Sequence, residues 1–112
     1  MMSTAPACTT FTHACVAWHD DYVAITVDGD IDAANAEAFA RFAIAHIQPG
    51  RKLQINLTQL DFFGTAGFSA LHAINVRCAA AGTDWTVSAC GPVARVLRIC
   101  DPNGALPVRH SS

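Results

Sequence analysis

The chain has 112 residues, of which 52% are hydrophobic and 14% are charged, and its formal net charge is −2. This length fits one domain, and the apolar fraction supplies enough core-forming surface to exclude a disordered chain. The seven basic residues are scattered rather than arranged as a stripe, which argues against nucleic acid as a partner. The charge is uneven along the chain, because residues 1–40 contain six acidic residues and no Lys or Arg.

The cysteine and histidine patterns give no sign of a metal site or of a cofactor. Five cysteines form no C-x-x-C pair, and five histidines form neither H-x-x-x-H nor H-E-x-x-H. We therefore expect reduced thiols, no metal and no cofactor. The N-terminus also lacks the pattern of a signal peptide, and no apolar run approaches the ~18 residues of a membrane span. These features predict a cytoplasmic protein without membrane insertion.

The first part of the chain predicts a β-hairpin. Two apolar, β-branched runs at about 12–18 and 22–28 are separated by His19-Asp20-Asp21. In the second run Val23, Ile25 and Val27 alternate with other residues, so their face should be buried.

A helix and a third strand should follow the hairpin. Asp32 is a plausible N-cap for a helix over about 33–48, which Pro49-Gly50 would end. One side of this helix carries its apolar residues at 3.6-residue spacing, together with one histidine: Ala36, Phe39, Phe42, Ala43, His46 and Ile47. Alternation over about 53–58 then predicts a short strand that leads into the segment 60–67.

The last part of the chain predicts two more helices around a strand. A second helix should begin near Gly67 and end at about Ala81 before Gly82, with Leu71, Ile74 and Cys78 in the core. A strand over 85–90, a helix over 92–100 and a turn over 101–104 complete the pattern.

The order ββαβαβα predicts an α/β fold. Alternating strands and helices imply a mixed, mostly parallel four-stranded sheet with helices packed on it and right-handed crossovers. We expect one domain over 11–108, a flexible N-terminal end over 1–10 and a C-terminal tail over 109–112.

The segment 60–68 carries the features that point to function. A strand leads into a glycine-flanked turn at the start of a helix, and Thr65 is predicted at its N-cap. Two interpretations remain open. The hydroxyl could simply accept a hydrogen bond from the first turn, which contributes about 1 kcal/mol. Alternatively, it could carry a phosphate, which the helix N-terminus would tolerate.

Four segments in this order resemble the landmarks of STAS domains, over about residues 12–107. They are Gly29-Asp30-Ile31-Asp32-Ala33, Leu57-Thr58-Gln59-Leu60-Asp61-Phe62, Thr65-Ala66-Gly67 and Pro92-Val93-Ala94-Arg95-Val96-Leu97. The resemblance implies a STAS fold and a non-enzymatic anti-sigma factor antagonist. Such a protein binds an anti-sigma factor, often itself a serine/threonine kinase, and so regulates transcription. By position, Thr65 corresponds to the phospho-acceptor of the family and Gly67 to the glycine of its motif.

Three positions depart from the family pattern. Gly64 replaces the acidic residue of the turn, Ala66 replaces a hydroxyl residue, and Asn56 stands where an acid is often found. Two alternatives follow: Thr65 is phosphorylated by a divergent kinase, or the protein binds its partner without being switched. In the second case, the chain would be an accessory subunit of a transporter, lipid-trafficking or stress-signalling assembly.

The predicted site is therefore a protein-binding surface with Thr65 as the candidate phospho-acceptor and no catalytic or metal-binding residues. The predicted partner-binding residues are Asp61, Phe63, Gly64, Ala66, Gly67, Phe68, Ser69, His72 and Val76. Phe68 could equally be an interface anchor or a core residue. Asp61 could contact the partner or only solvate the turn.

Overall fold

A computed structural model describes residues 13–101, 104 and 106–110 of the chain. The predicted flexible end, 1–10, lies outside the described residues. Along the described part, the elements follow the order ββαβαβαβ. They are β1 His13–Trp18, β2 Tyr22–Ile31, α1 Ala36–Ala45, β3 Lys52–Phe63, α2 Thr65–Ala81, β4 Trp85–Ala89, α3 Gly91–Cys100 and β5 Val108–His110.

The strands of the described residues form one five-stranded sheet in the order β1-β2-β3-β4-β5. β1 is antiparallel to β2, and the other neighbours are parallel. The mixed, mostly parallel sheet is confirmed, with five strands instead of four. β5 includes Arg109 and His110, which the sequence placed in the tail. A segment of three residues is too short for its periodicity to predict a strand. These residues form a strand because they pair with β4.

The three helices of the described residues pack on one face of the sheet. Each helix joins two adjacent parallel strands by a crossover, and right-handed crossovers in one direction along a sheet bring their helices to the same side. Side chains on that face alternate with exposed or half-buried ones along each strand. The largest fully buried side chains of the core are Phe39, Ile25, Ile31, Leu53, Ile55, Leu57, Leu71, Ile74, Val23, Val27, Val87 and Val93.

The predicted hairpin is confirmed. β1 and β2 pair in continuous register from His13 opposite Asp28 to Trp18 opposite Val23. At its turn, the N–H of His19 donates to the carbonyl of Tyr22 over 2.9 Å. β2 continues three residues beyond the prediction, to Ile31.

The first helix is shorter than predicted, and Asp32 as its N-cap was wrong. α1 begins at Ala36, Asn35 is its N-cap residue, and it ends at Ala45. The reason is local, because side chains hold the preceding residues in a turn. The Asp32 carboxylate accepts the N–H of Ala34 over 2.9 Å, and the Asn35 side-chain oxygen accepts the N–H of Asp32 over 2.8 Å.

The third strand is longer than predicted, and this changes the start of the second helix. β3 remains paired with β2 up to Phe63, and its register shifts twice, once between Asn56 and Gln59 and once between Leu60 and Phe62. Each shift inserts one extra residue into β3, which is the pattern of a β-bulge. Only Gly64 then separates the strand from α2, and Gly64 is the N-cap residue. Thr65 as N-cap was therefore wrong.

The remaining elements follow the predictions closely. α2 ends at Ala81, and its C-cap residue Gly82 has a φ of 68°, the left-handed conformation that glycine favours at a helix C-terminus. The predicted core residues Leu71, Ile74 and Cys78 are buried. The N–H of Gly104 donates to the carbonyl of Asp101 over 3.1 Å, as expected for a turn. Residues 102–103 of that turn lie outside the described residues.

Candidate functional site

The candidate site lies where β3 ends and α2 begins. The N–H of Gly64 donates to the carbonyl of Ile31 over 2.9 Å, which fixes the end of β3 beside the end of β2. The N–H of Gly67 donates to the carbonyl of Gly64 over 2.9 Å and closes the first turn of α2. Two strand ends and a helix start are thus held together, and Thr65 is exposed between them.

Thr65 occupies the first helical position of α2. Its own N–H and that of Ala66 belong to the orphan donors that every helix N-terminus has, and Gly64 brings no side chain to accept from them. The helix dipole adds positive potential at this end. A phosphoryl group on the Thr65 hydroxyl would therefore lie near these N–H donors.

Gly67 lies on the side of α2 that packs against the buried ring of Phe63. A Cβ atom at Gly67 would lie 2.5 Å from Cε1 of Phe63, so only glycine allows the helix to approach this ring. Gly67 is buried and Phe63 is 2% exposed. Both residues were predicted to bind the partner, and this stays a prediction; in the structure, both lie against the core.

Phe62 is the exposed neighbour that the sequence prediction missed. Its side chain is 50% exposed, and its ring lies beside Gly64, where a Cβ atom would be 3.3 Å from Cε2 of the ring. The two register shifts explain this orientation, since they bury Leu60 and Phe63 and leave Asp61 and Phe62 outside. Strict alternation along β3 cannot reveal such shifts. The only signal in the sequence is that two adjacent Phe residues of a strand cannot both face the core.

α2 presents one continuous exposed stripe that starts at Thr65. Ser69, His72 and Val76 follow at spacings of four, three and four residues, which places them on one face of the helix. Val76 is 51% exposed. Phe68 is half-buried and packs against the core. Part of its side chain therefore contributes to the core, and part is exposed at the surface. Ala66 is half-buried as well.

A groove of about 310 Å³ borders this stripe between α1 and α2. Its walls consist mostly of alanine side chains. The lining residues are Ala33, Ala36, Glu37, Ala40, Ala66, Ser69, Ala70 and Ala73. Small residues allow the two helices to pack closely and leave a shallow apolar floor next to the turn.

Asn56 has a local structural role. Its side-chain oxygen accepts the N–H of Thr58 over 2.9 Å and the hydroxyl of Thr58 over 2.6 Å. These bonds span the first register shift of β3, between Asn56 and Gln59. An Asn that replaces the acid of the family pattern thus stabilises the bulge.

Three carboxylates lie near the turn. Asp30 is opposite Phe62 in the register of β2 and β3, and Asp61 directly precedes Phe62. Asp32 follows Ile31, whose carbonyl binds the N–H of Gly64. Asp30 and Asp61 are exposed and Asp32 is half-buried. Three acidic residues thus lie at the strand ends beside the turn.

Two kinds of feature are absent from the described residues. No helix there is long and apolar enough to cross a membrane. No group of three or more His, Cys, Asp or Glu residues in that part of the chain could hold a metal ion.

Comparison with known proteins identifies the family. The STAS domain family matches residues 16–109, and the chain therefore belongs to it. Its relatives within this family include anti-sigma factor antagonists. It is 35% identical over 104 residues to the anti-sigma-F factor antagonist RsfA of Mycobacterium tuberculosis, and the match covers 88% of this chain and 80% of that protein.

Solved structures agree with this assignment. A crystal structure of an anti-sigma factor antagonist from Mycobacterium paratuberculosis is 26% identical with a TM-score of 0.72, and the match covers 85% of this chain and 82% of that one. The unphosphorylated form of the anti-sigma factor antagonist SpoIIAA has a TM-score of 0.69 at 14% identity, with 88% of each chain covered, and shows the same fold. The resemblance inferred from the sequence is thus confirmed.

Proposed function

We propose that this chain is an anti-sigma factor antagonist that binds an anti-sigma factor through the surface at the start of α2. We call the residues Phe62, Thr65, Ser69, His72 and Val76 the docking surface. Its edge consists of Asp61, Gly64, Ala66 and Phe68. The observation that carries the proposal is that this exposed stripe, next to a half-exposed Phe62, lies at the turn where the family pattern has its phospho-acceptor.

The docking surface has the composition of a protein interface. Phe62 and Val76 offer exposed apolar area whose burial favours association. Thr65, Ser69 and His72 are exposed and supply hydrogen-bonding groups around it. In this proposal, the chain acts in the cytoplasm as a regulator rather than as an enzyme. By occupying the anti-sigma factor, it releases the sigma factor and changes transcription.

The second part of the proposal is a switch at Thr65. A serine/threonine kinase, which in several family members is the anti-sigma factor itself, would transfer the γ-phosphoryl group of ATP to the Thr65 hydroxyl. ADP leaves, and a base of the kinase takes the hydroxyl proton. The product carries about two additional negative charges at the centre of the docking surface. A partner that fits the neutral hydroxyl must then desolvate a phosphate, so the complex dissociates.

Calorimetric titration of the purified chain with each anti-sigma factor of its source organism tests the binding. We expect one of them to form a stoichiometric complex with the wild type, and Thr65→Glu to weaken this complex at least about tenfold, because the added carboxylate must be desolvated in the complex. Ala17→Glu is the matched control, because Ala17 is exposed on β1, away from the docking surface. It should bind like the wild type.

A kinase assay tests the switch separately. The chain is incubated with ATP and the kinase, and the modified residue is located by mass spectrometry in the wild type and in Thr65→Val. Phosphate on Thr65 that disappears in the variant supports the switch. Label at another residue contradicts the switch but leaves the docking surface intact. Unchanged binding of Thr65→Glu contradicts both the switch and the place of Thr65 in the docking surface. Absence of any complex with an anti-sigma factor contradicts the function itself.

One observation favours a docking role without phosphorylation. Gly64 and Ala66 carry no polar side chain with which to organise the acceptor. An unswitched accessory subunit of a transporter, lipid-trafficking or stress-signalling assembly would need only the contact surface. The kinase assay distinguishes the two functions, and so do the neighbouring genes, which encode either sigma-factor regulators or components of such an assembly.

A further inference from the structure

We infer that the partner presents a basic surface around the pocket that receives Phe62, and that this charge controls how fast the complex forms. The inference rests on the proposed function and specifies the chemistry of its partner. We call Asp30, Asp32 and Asp61 the acidic rim. These three carboxylates come from two neighbouring strand ends and surround the docking surface on the side of the sheet.

Sheet pairing and hydrogen bonding hold the acidic rim in place. Asp30 lies opposite Phe62, and Asp61 precedes Phe62 at the second register shift of β3. The Asp32 carboxylate is oriented by the N–H of Ala34 at 2.9 Å. The backbone positions of these residues are therefore fixed relative to Phe62, which is 50% exposed.

The basic residues of the chain do not neutralise this rim. Residues 1–40 contain no Lys or Arg. Arg41 is the nearest basic residue in the sequence, and it forms an ion pair with Glu37 over 3.2 Å on α1. Arg51 and Lys52 lie at the start of β3, at the opposite end of the sheet. The other four basic residues are Arg77 on α2, Arg95 and Arg98 on α3, and Arg109 on β5. Among the described residues, no basic side chain forms an ion pair with the acidic rim, so contact within the molecule does not neutralise its charge.

The negative charge of the acidic rim restricts which partners can bind. Contact with an apolar or acidic surface would remove water from the carboxylates, or bring like charges together, without compensation. Lys or Arg residues on the partner would restore the lost interactions and attract the chain before contact. Attraction of this kind raises association rates by about 10-fold to 1000-fold and weakens as salt is added.

A basic partner also determines how the switch at Thr65 acts. Phosphate adds negative charge to an end of the molecule that is already negative, so the long-range attraction to a basic partner persists. The loss of affinity must then arise after contact, where the phosphate does not fit. We expect Thr65→Glu to increase the dissociation rate and to leave the association rate unchanged or faster, whereas loss of rim charge slows association.

Stopped-flow kinetics with the anti-sigma factor that forms the complex in the titration above tests this inference. The variants are Asp61→Lys, Asp61→Asn and Asp30→Asn, and Asp20→Lys is the matched control. Asp20 is exposed in the hairpin turn at the opposite end of the sheet. Thermal melting of each variant shows that it is folded before its kinetics are compared.

At 50 mM salt, Asp61→Lys should slow association about tenfold and each Asn variant about twofold to threefold, while Asp20→Lys should change it less than twofold. The wild-type association rate should fall at least about fivefold between 50 and 500 mM salt. Equal rates for Asp61→Lys and Asp20→Lys, or a rate that does not fall with salt, would overturn the basic partner while leaving the proposed function in place. If no anti-sigma factor binds the wild type, the proposed function and the inference of a basic partner are both contradicted.

Discussion

Two ends of the sheet each expose half of a large aromatic ring, but the rings have different surroundings. At the hairpin end, Trp18 is 51% exposed, and at the docking end Phe62 is 50% exposed. The guanidinium carbon of Arg51 lies 5.8 Å from the centroid of the Trp18 ring, and the ring of His46 lies 5.6 Å away. Within the described part of the chain, no cation or second aromatic ring stacks on Phe62.

This comparison shows that exposure alone does not identify a binding residue. Trp18 already uses its ring for a cation–π contact and an aromatic contact inside the molecule, which contribute to its own stability. The face of Phe62 is left for another molecule. The same contrast holds for charge, since Arg51 and Lys52 line one pocket with Asp21 and Asp84 at the hairpin end. Among the described residues, no basic side chain forms an ion pair with the acidic rim.

The largest expected effect tests this difference directly. Phe62→Ala should weaken the complex with the anti-sigma factor by about 2 kcal/mol, which is roughly 30-fold in affinity, because a central aromatic anchor is lost. Trp18→Ala should leave the affinity unchanged and instead lower the free energy of unfolding by about 1 kcal/mol, through loss of the cation–π contact. Titration calorimetry and urea unfolding of both variants measure the two effects.

Each of these variants serves as the control of the other. If Trp18→Ala weakens binding as much as Phe62→Ala does, the docking surface has been placed at the wrong end of the sheet. If Phe62→Ala reduces stability more than affinity, its ring has a structural role and the comparison between the two rings fails.

The next effect concerns the two glycines beside Thr65. Gly67→Ala should lower the free energy of unfolding by about 1 to 2 kcal/mol, because the added Cβ would meet the buried Phe63 ring at 2.5 Å and overpacking outweighs the gain in helix propensity. Gly64→Ala should cost less, since its Cβ would meet only the exposed Phe62 ring, at 3.3 Å. Urea unfolding compares the two variants, and equal losses would show that Gly67 has no special packing role.

The smallest effect is a pH dependence at Cys78, towards the hairpin end of α2. Burial raises the pKa of its thiol from the ordinary 9.0 to about 11. A pKa that is higher in the folded state stabilises the fold fully below pH 9, and this contribution is lost as pH rises towards 11. Between pH 8 and pH 10, the wild type should lose about 1 kcal/mol more stability than Cys78→Ala. Urea unfolding at several pH values measures this difference. Equal losses of stability in the wild type and in Cys78→Ala would contradict the prediction.

Much of the fold could be predicted from local patterns. Alternation of Val23, Ile25 and Val27 predicted a half-buried strand, and the structure confirms it. The stripe of Leu71, Ile74 and Cys78, ended by Gly82, predicted the second helix. These patterns are reliable because strand and helix periods relate sequence spacing directly to a face of the element.

The boundaries at the site could not be predicted in the same way. Thr65 was expected at the N-cap, but the pairing of β3 with β2 extends the strand to Phe63 and moves the cap to Gly64. Asp32 was expected to cap α1, but hydrogen bonds with Ala34 and Asn35 hold it in the preceding turn. In both cases, contacts with a neighbouring strand or turn outweigh a local preference that is worth only about 1 kcal/mol.

The sequence by itself determined the family, the order of the first seven elements and the location of Thr65 at the start of a helix. It did so because periodicity, helix-ending residues and an ordered set of motifs are all local properties. Only the tertiary structure decided that Phe62 faces outward while Phe63 and Gly67 pack inward, and that three carboxylates surround the turn. These facts depend on two register shifts between β2 and β3, and the register of two strands is a property of their pairing, which neither strand specifies alone.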